Sequence, residues 1–216
     1  MKIYIGYDTE QDLAYEVCKN SILRRSKDIE IIPIKKTELS EFTRGYDPLA
    51  STEFTYTRFL VPYLNDYNGW ALFIDCDIIA QVDIENILDY KDDKYKVIVT
   101  KHDYELHGDL KMGGKVQSNY PRKNWSSVML FNCSRCEDLT PHVVNTETPQ
   151  YLHQFGWCDD GEIGELPKEW NWLSGHYHNG DPKLIHYTDG GPWLEQHKNC
   201  CYSIEWNEEW QRTFTS

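Results

Sequence analysis

The chain has 216 residues, 40% of them hydrophobic and 14% aromatic, and it carries a formal net charge of −13 at pH 7. This length predicts a single domain with a sizeable core, and the apolar content excludes a disordered chain. The excess of acidic residues argues against nonspecific binding to nucleic acid, which requires a basic face. It does not exclude a nucleotide ligand, because such a ligand needs only a metal ion and one or two cations.

No stretch of the sequence is apolar enough to span a membrane, and the apolar run at the N-terminus is too short for a signal peptide. The sequence therefore predicts a cytoplasmic protein. The 7 cysteines are an odd number without a secretory signal, which favours reduced thiols. Cys133 and Cys136 have the spacing of a zinc or redox motif, with Cys200 and Cys201 as candidate partners, but buried thiols explain such a pair more often.

The first third of the chain predicts a strand, helix, strand unit followed by a short helix. The predicted elements are a strand at 2–6, a helix at 11–26, a strand at 29–34 and a short helix at 55–64. Pro33 indicates an edge strand or a strand end, because proline cannot donate a hydrogen bond to a sheet. Arg58 falls outside the apolar stripe of the short helix.

The apolar stretch from Trp70 to Ala80 predicts a buried strand, at the end of which stand Asp75 and Asp77. Two carboxylates about 4 Å apart repel each other by roughly 4 kcal/mol at an effective dielectric constant of about 20, so we expect a cation between them. Mg²⁺ and Mn²⁺ suit a site of one or two carboxylates, waters and phosphates. The alternative is that the two aspartates lie in a solvated turn or at a helix cap. Neither of these needs apolar residues on both sides of the aspartates, as this chain has.

The remaining sequence predicts further strands separated by a long polar loop. The predicted elements are a turn or short helix at 82–90, strands at 95–100, 125–132 and 183–186, and a helix at 151–155. The loop from Lys101 to Lys123 has a length typical of functional or mobile segments. We expect this loop and the C-terminal segment to select the acceptor of any transfer reaction.

Five segments carry motifs in a fixed order: Gly6-Tyr7-Asp8, Thr55 to Pro62, Leu72 to Asp77, Trp125 to Asn132, and His186 to Trp193. Together they resemble the GT-A fold glycosyltransferases, most closely glycosyltransferase family 8, which includes glycogenin and bacterial lipooligosaccharide galactosyltransferases. The resemblance implies a single α/β, Rossmann-like GT-A domain with a mixed central sheet flanked by helices. It implies that residues 1–100 bind the nucleotide sugar and that residues 101–216 face the acceptor.

The resemblance also implies roles for individual residues. Asp75, Asp77 and His186 would hold a divalent metal, Mn²⁺ or Mg²⁺, that binds the diphosphate of the donor, with both aspartates lying against the donor. The other implied donor contacts are Tyr7, Asp8, Arg58, Cys76, Ser127 and Gly191. Alternatives remain open for three residues: Tyr7 as a core residue, Arg58 as a surface cation and His186 as an ordinary buried histidine.

One departure from the family pattern concerns the phosphates of the donor. The family has a lysine before its closing Pro-Trp, whereas this chain has Gly191 there, in a segment one residue shorter. Lys183 and Lys198 are the candidate substitutes.

A second departure concerns the reacting face. Asp159 stands where the family has a glutamine, and the segment with Asp160 also resembles a part of inverting GT-A enzymes in which a carboxylate is the general base. Asp159 and Asp160 are therefore the candidate catalytic residues, and retention of the anomeric configuration is slightly favoured over inversion. The alternative is an acidic cap on a helix from Gly161 to Leu166.

The predicted function is a metal-dependent hexosyltransferase that moves a sugar from a nucleotide-diphosphate donor, with a UDP-sugar expected, to a hydroxyl acceptor such as a glycan. One alternative is a sugar nucleotidyltransferase, but Gly6 to Glu10 does not resemble its glycine-rich basic loop. The other is a noncatalytic carbohydrate-binding protein, suggested by 8 Trp and 15 Tyr residues, which would not need two aspartates at a buried strand end. No oligomeric state is predicted.

Overall fold

The computed structural model describes residues 1–48, 50–103 and 121–215, together with the backbone of residues 110–111 and 115–116. Most of the predicted acceptor loop, Lys101 to Lys123, therefore lies outside the described residues. The strands are β1 Lys2–Gly6, β2 Glu30–Ile34, β3 Trp70–Ile74, β4 Ile78–Ala80, β5 Val97–Val99, β6 Leu110–Lys111, β7 Lys115–Val116, β8 Val128–Asn132, β9 Ile163–Glu165, β10 Trp172–Leu173 and β11 Leu184–His186. The α-helices are α1 Asp12–Leu23, α2 Val61–Leu64, α3 Pro141–Thr146, α4 Pro149–His153 and α5 Ser203–Phe214.

A mixed six-stranded sheet in the order β2-β1-β3-β8-β5-β9 forms the centre of the fold. Strand β8 runs antiparallel to β3 and β5, and the other pairings are parallel. The carboxyl ends of β1, β2, β3, β5 and β9 therefore meet at one edge, where β8 begins. A second sheet has the order β10-β11-β4. The predicted mixed sheet with flanking helices is confirmed, and Pro33 lies in the edge strand β2 as predicted.

The apolar run from Trp70 to Ala80 forms two strands instead of the single predicted one. Strand β3 ends at Ile74 in the six-stranded sheet, and β4 begins at Ile78 in the second sheet. All three residues of β4 are buried, so the hydrophobic pattern does not reveal the break between two adjoining buried strands. As a result, Asp75 and Asp77 lie in the turn that connects the two sheets.

The helix from Gly161 to Leu166, which was the alternative explanation of the acidic pair, does not form. A short 3₁₀ helix spans Asp160–Glu162, and β9 follows it. Asp159 caps this 3₁₀ helix in a capping box, in which the Glu162 carboxylate accepts from the Asp159 backbone N–H at 3.1 Å. An apolar run this short does not distinguish a helix from a strand.

Helix α1 connects the second sheet to the C-terminal helix. The hydroxyl of Ser21 on α1 accepts a hydrogen bond from the Ala80 backbone N–H at 2.9 Å. On the other side of α1, the Glu209 side chain of α5 is only 2% exposed and forms ion pairs with Arg24, Arg25 and Arg212. Among the described residues, no helix is both long enough and apolar enough to cross a membrane.

Replacing Glu209 with glutamine should destabilise the fold, because the arginines around it lose their countercharge in a partly buried place. Breaking a fully buried pair costs about 3 to 5 kcal/mol. We expect about 2 kcal/mol, because the three arginine side chains are 21% to 51% exposed. Urea unfolding measures this difference. The matched control is Glu208→Gln, whose side chain is 55% exposed and pairs with Arg212. Equal stability of the two variants would contradict the assigned role of Glu209.

Candidate metal and donor site

Three potential metal ligands converge at the turn between the two sheets. One ligand atom each of Asp75, Asp77 and His186 lies within 4.8 Å of the other two. Strand β11 brings His186 into this position by pairing antiparallel with β4, where His186 stands opposite Ile78. The Tyr187 backbone N–H extends this pairing by donating to the Asp77 carbonyl at 3.0 Å. The predicted metal triad is therefore assembled by strand pairing across two distant parts of the sequence.

Arg58 is buried and holds Asp75 in place. Its Nη1 lies 2.8 Å from Asp75 Oδ1 and also donates to the Ser126 carbonyl at 2.8 Å. Its guanidinium carbon lies 5.2 Å and 5.1 Å from the ring centroids of Phe54 and Phe73. The surface-cation alternative is therefore wrong. The helical stripe did not predict this burial, because the ion pair, in addition to apolar packing, holds the side chain inside.

The hydrogen bonds of Asn171 determine which His186 nitrogen faces the aspartates. The Asn171 amide nitrogen donates to the Asn124 carbonyl at 3.1 Å, so its Oδ1 is the atom 2.8 Å from His186 Nδ1. Since an amide oxygen only accepts, we assign the proton of the neutral imidazole to Nδ1. In this neutral tautomer, His186 Nε2 presents its lone pair towards Asp77 Oδ1, 3.4 Å away.

The environment of Asp77 fits a cation. Its side chain is 2% exposed, and within the described ranges its Oδ1 atom has no hydrogen-bond donor. A buried carboxylate oxygen that faces a nitrogen lone pair is costly unless a positive charge lies between them. Carboxylate oxygens and one imidazole nitrogen are ligands that Mn²⁺ and Mg²⁺ accept. The ligand atoms of Asp75, Asp77 and His186 therefore fit a divalent metal.

Tyr7 and Asp8 follow β1 at the same edge of the sheet as Asp75. The Tyr7 hydroxyl donates to Asp12 at 2.7 Å, and this hydrogen bond is the main cause that raises the Tyr7 pKa to about 12. The Asp8 carboxylate is buried, and its two oxygens accept from the backbone N–H groups of Glu10 at 2.9 Å and Glu53 at 3.1 Å. Asp8 thus ties two loops together, and its contact with a donor stays a prediction.

The side chains of Cys76 and Ser127 contact other residues of the chain. The buried Cys76 thiol lies 3.9 Å from Gln11 Oε1, and burial raises its pKa well above the usual value. Ser127 donates its hydroxyl to the Asn124 carbonyl at 2.7 Å, and its own carbonyl accepts from the Asp75 N–H at 2.9 Å. Both residues therefore shape the turn, and a direct contact of either with a ligand stays a prediction.

Gly191 has a steric reason to lack a side chain. A Cβ atom at this position would lie 2.0 Å from the Trp193 ring, so a lysine here would displace that ring. The two candidate substitutes have other contacts: the Lys183 ammonium lies 4.9 Å from the Trp170 ring centroid, and Lys198 pairs with Glu195. Contacts of Gly191, Lys183 and Lys198 with a nucleotide-sugar donor stay predictions.

The structure does not bring Asp159 and Asp160 to the metal triad. Both precede β9, which runs parallel to β5 in the same direction as β3, whereas Asp75 follows the end of β3. The two pairs of aspartates therefore lie at opposite edges of the sheet. The Asp160 side chain is 83% exposed and pairs with Arg122 at 2.5 Å. A catalytic role for Asp159 and Asp160 stays a prediction, without support from this placement.

Several polar residues near the triad were missed by the sequence analysis. His176 Nε2 lies 2.7 Å from Asp189 Oδ2, and His102 Nδ1 lies 2.7 Å from the Tyr177 hydroxyl. Burial is the main cause that lowers the His102 pKa, to about 3. His102 is therefore neutral at physiological pH. Sequence spacing carries no signal for these pairs, because their partners come from separate segments.

The zinc hypothesis finds no support. Cys133 and Cys136 are buried, the Cys136 thiol lies 3.3 Å from the Lys96 carbonyl, and burial raises the Cys136 pKa. In the part of the chain that the structure describes, Asp75, Asp77 and His186 are the group of potential ligands that meets the distance requirement for a metal. The cysteine pair therefore behaves as core thiols.

Comparison with known proteins identifies one relative by sequence and several by structure. No family model matches the chain. Protein CDI of Arabidopsis thaliana is 44% identical over 220 residues, which cover 96% of this chain and 85% of that protein.

The structural neighbours include three glycosyltransferases. Apo WbbM, a bifunctional glycosyltransferase, matches with a TM-score of 0.69 at 15% identity over 97% of this chain and 49% of its own. Galactosyltransferase LgtC in complex with donor and acceptor sugar analogs matches with a TM-score of 0.66 at 12% identity, over 100% of this chain and 97% of its own. GlyE of Streptococcus pneumoniae TIGR4 matches with a TM-score of 0.61 at 15% identity, over 99% of this chain and 62% of its own. The chain thus spans about half of WbbM, and these matches establish the GT-A fold.

The metal site can be tested with the ion alone. We expect the protein to bind Mn²⁺ and Asp77→Asn to weaken this binding by more than 10-fold, because the amide lacks the charge that the ion requires. Electron paramagnetic resonance of free Mn²⁺ during a titration measures the affinity. The matched control is Asp66→Asn, an exposed aspartate in the loop before β3, which should bind as the parent does. Unchanged affinity in Asp77→Asn would refute the site.

Proposed function

Because the chain belongs to the family of Protein CDI of Arabidopsis thaliana and has the GT-A fold, we propose that it is a metal-dependent glycosyltransferase. It would move a sugar from a nucleotide-diphosphate donor to a hydroxyl acceptor. The observation that carries this proposal is the buried Asp77 Oδ1, which faces His186 Nε2 and has no hydrogen-bond donor among the described residues. This arrangement lies beside the carboxyl ends of parallel strands, where α/β sheets bind ligands.

The charges of the site suit a diphosphate. Arg58 offsets the charge of Asp75, so the pair and Asp77 together keep one negative charge. A bound divalent cation would leave the site with one positive charge and would stabilise the charge that develops on the leaving diphosphate. Asp77 and His186 hold the ion position, and Arg58 keeps the Asp75 carboxylate from turning away. The protein thus supplies a preorganised electrophilic centre.

We assign the donor as a UDP-sugar and the ion as Mn²⁺ or Mg²⁺, following the resemblance to glycosyltransferase family 8. Residues 1–100 would bind the nucleotide, since Tyr7, Arg58 and both aspartates of the triad lie there. Residues 101–216 would face a carbohydrate or other hydroxyl acceptor, although His186 from this half also completes the metal triad. The two halves of the chain therefore build one site.

We favour retention of the anomeric configuration. An inverting reaction requires a general base near the acceptor hydroxyl, and the candidate bases Asp159 and Asp160 lie at the edge of the sheet where β9 begins. A retaining transfer makes no such demand, because the leaving diphosphate itself is close to the attacking hydroxyl. The placement of this acidic pair supports the retaining assignment.

The rival functions fit the site less well. A noncatalytic carbohydrate-binding protein gains nothing from a buried carboxylate without a hydrogen-bond donor, because such a group lowers stability unless a cation occupies the site. A sugar nucleotidyltransferase needs basic groups around a triphosphate, whereas the loop after β1 is held by Asp8 and contains Glu10. The transferase is therefore our conclusion.

A thermal-shift panel of UDP, GDP, ADP and CDP with Mn²⁺, with Mg²⁺ and with a chelator tests the proposal. UDP with metal at 100 times its Kd should stabilise the protein by about 2.7 kcal/mol, which raises Tm by about 5 to 10 °C for a chain of this size. The chelator and Asp77→Asn should each abolish this rise, and Asp66→Asn should keep it.

Donor hydrolysis under the same conditions measures the chemistry. We expect the parent to release UDP from a UDP-sugar and Asp77→Asn to lose at least about 100-fold of this rate. Stabilisation by a nucleoside diphosphate that persists in chelator would contradict the metal-linked mechanism. No stabilisation by any nucleotide with metal would favour a binding protein.

A further inference from the structure

Asn124 lies in a left-handed backbone conformation next to the metal triad, with φ of 62° and ψ of 3°. Asparagine is one of the few residues with a side chain that adopt this conformation readily. The Asn124 carbonyl accepts from the Ser127 hydroxyl at 2.7 Å and from the Asn171 amide at 3.1 Å. Its side-chain amide donates to the Thr188 hydroxyl at 3.0 Å. One residue thus contacts three separate segments of the chain.

The first of these segments fixes Asp75. The Ser127 carbonyl accepts from the Asp75 N–H at 2.9 Å. The neighbouring Ser126 carbonyl accepts from Arg58, which also pairs with the Asp75 carboxylate. The start of β8 therefore positions both the backbone and the side chain of one metal ligand, and Asn124 caps that start through Ser127.

The other two segments fix His186. Asn171 accepts from His186 Nδ1 at 2.8 Å, and Thr188 lies two residues after His186 along the chain. Asn124 therefore holds the end of β11 at two points, once through Asn171 to the imidazole and once through the Thr188 hydroxyl. Asn171, Thr188 and Ser127 are all at most 3% exposed, and hydrogen bonds are stronger in such a dry environment.

On the basis of the proposed metal site, we propose that Asn124 and Asn171 are positioning residues that join the two halves of the triad into one rigid unit. Asn171 keeps the His186 lone pair on Nε2, where it can coordinate an ion. Asn124 sets the distance between that lone pair and the Asp75 turn. Partners of this kind, one step removed from the ion, commonly contribute 10- to 100-fold in metal affinity.

The tautomer of His186 can be measured, and it would not change if Asn171 contributed only to the stability of the fold. In the metal-free parent at pH 8, ¹⁵N-edited NMR of labelled histidine should show His186 with its proton on Nδ1, the resonance being assigned by its loss in His186→Gln. Asn171→Leu removes the acceptor with little change of volume, so both tautomers should appear. Asn171→Asp keeps an acceptor for Nδ1–H and should restore the single tautomer.

Mn²⁺ affinity, measured by electron paramagnetic resonance, is the second readout. We expect Asn171→Leu to weaken Mn²⁺ binding by about 10- to 100-fold and Thr188→Val to weaken it several-fold. The control is Asn145→Leu, because the Asn145 amide makes hydrogen bonds to Thr43, Arg44 and Glu41, none of which contacts the triad. This control should bind Mn²⁺ as the parent does.

The outcomes separate the two proposals. If the parent itself binds no Mn²⁺, the proposed metal-dependent function fails, and the inference that rests on it fails too. If the parent binds and Asn171→Leu binds equally well with an unchanged tautomer, only the positioning role is refuted. If Asn171→Leu does not fold, Thr188→Val decides the matter: several-fold weaker binding supports the role, and unchanged binding refutes it.

Discussion

The site depends on one buried contact, between the Asp77 carboxylate and His186 Nε2, which lie 3.4 Å apart. A buried carboxylate next to a neutral imidazole nitrogen raises the free energy of the folded protein unless a positive charge joins them. The surrounding structure keeps them together all the same: strand pairing places His186, and Asn171 orients its ring. The fold thus holds together an arrangement that the proposed metal ion would stabilise, as is common at functional sites.

The two aspartates of the turn differ in their electrostatic surroundings, although they stand one residue apart. Asp75 has Arg58 as its counterion, whereas Asp77 faces the imidazole. A carboxylate with a counterion is oriented before any ligand arrives, and a carboxylate without one supplies the attraction for the ion. This division explains why the chain buries an arginine beside a site meant for a cation. Without Arg58, two carboxylates would repel each other in the empty site.

The local pattern predicted the two aspartates after a buried strand, and the family resemblance added Arg58 and His186 as candidates. It did not predict the break between β3 and β4, because two adjoining buried strands look like one apolar run. It also missed Asn124 and Asn171, whose contact joins residues 47 positions apart. Asp159 and Asp160 were catalytic candidates because their segment resembles family motifs, and only the strand directions showed that they lie at the other edge of the sheet from the triad.

Cys76 stands between the two aspartates, yet its thiol turns away into the core beside Gln11. Had it pointed the other way, the site would have offered sulfur, the ligand that soft ions such as Zn²⁺ and Cu⁺ prefer. Burial also raises the pKa of this thiol, so it stays protonated and is a poor ligand. The orientation of this one side chain therefore leaves the position with oxygen and nitrogen ligands only, which hard ions accept.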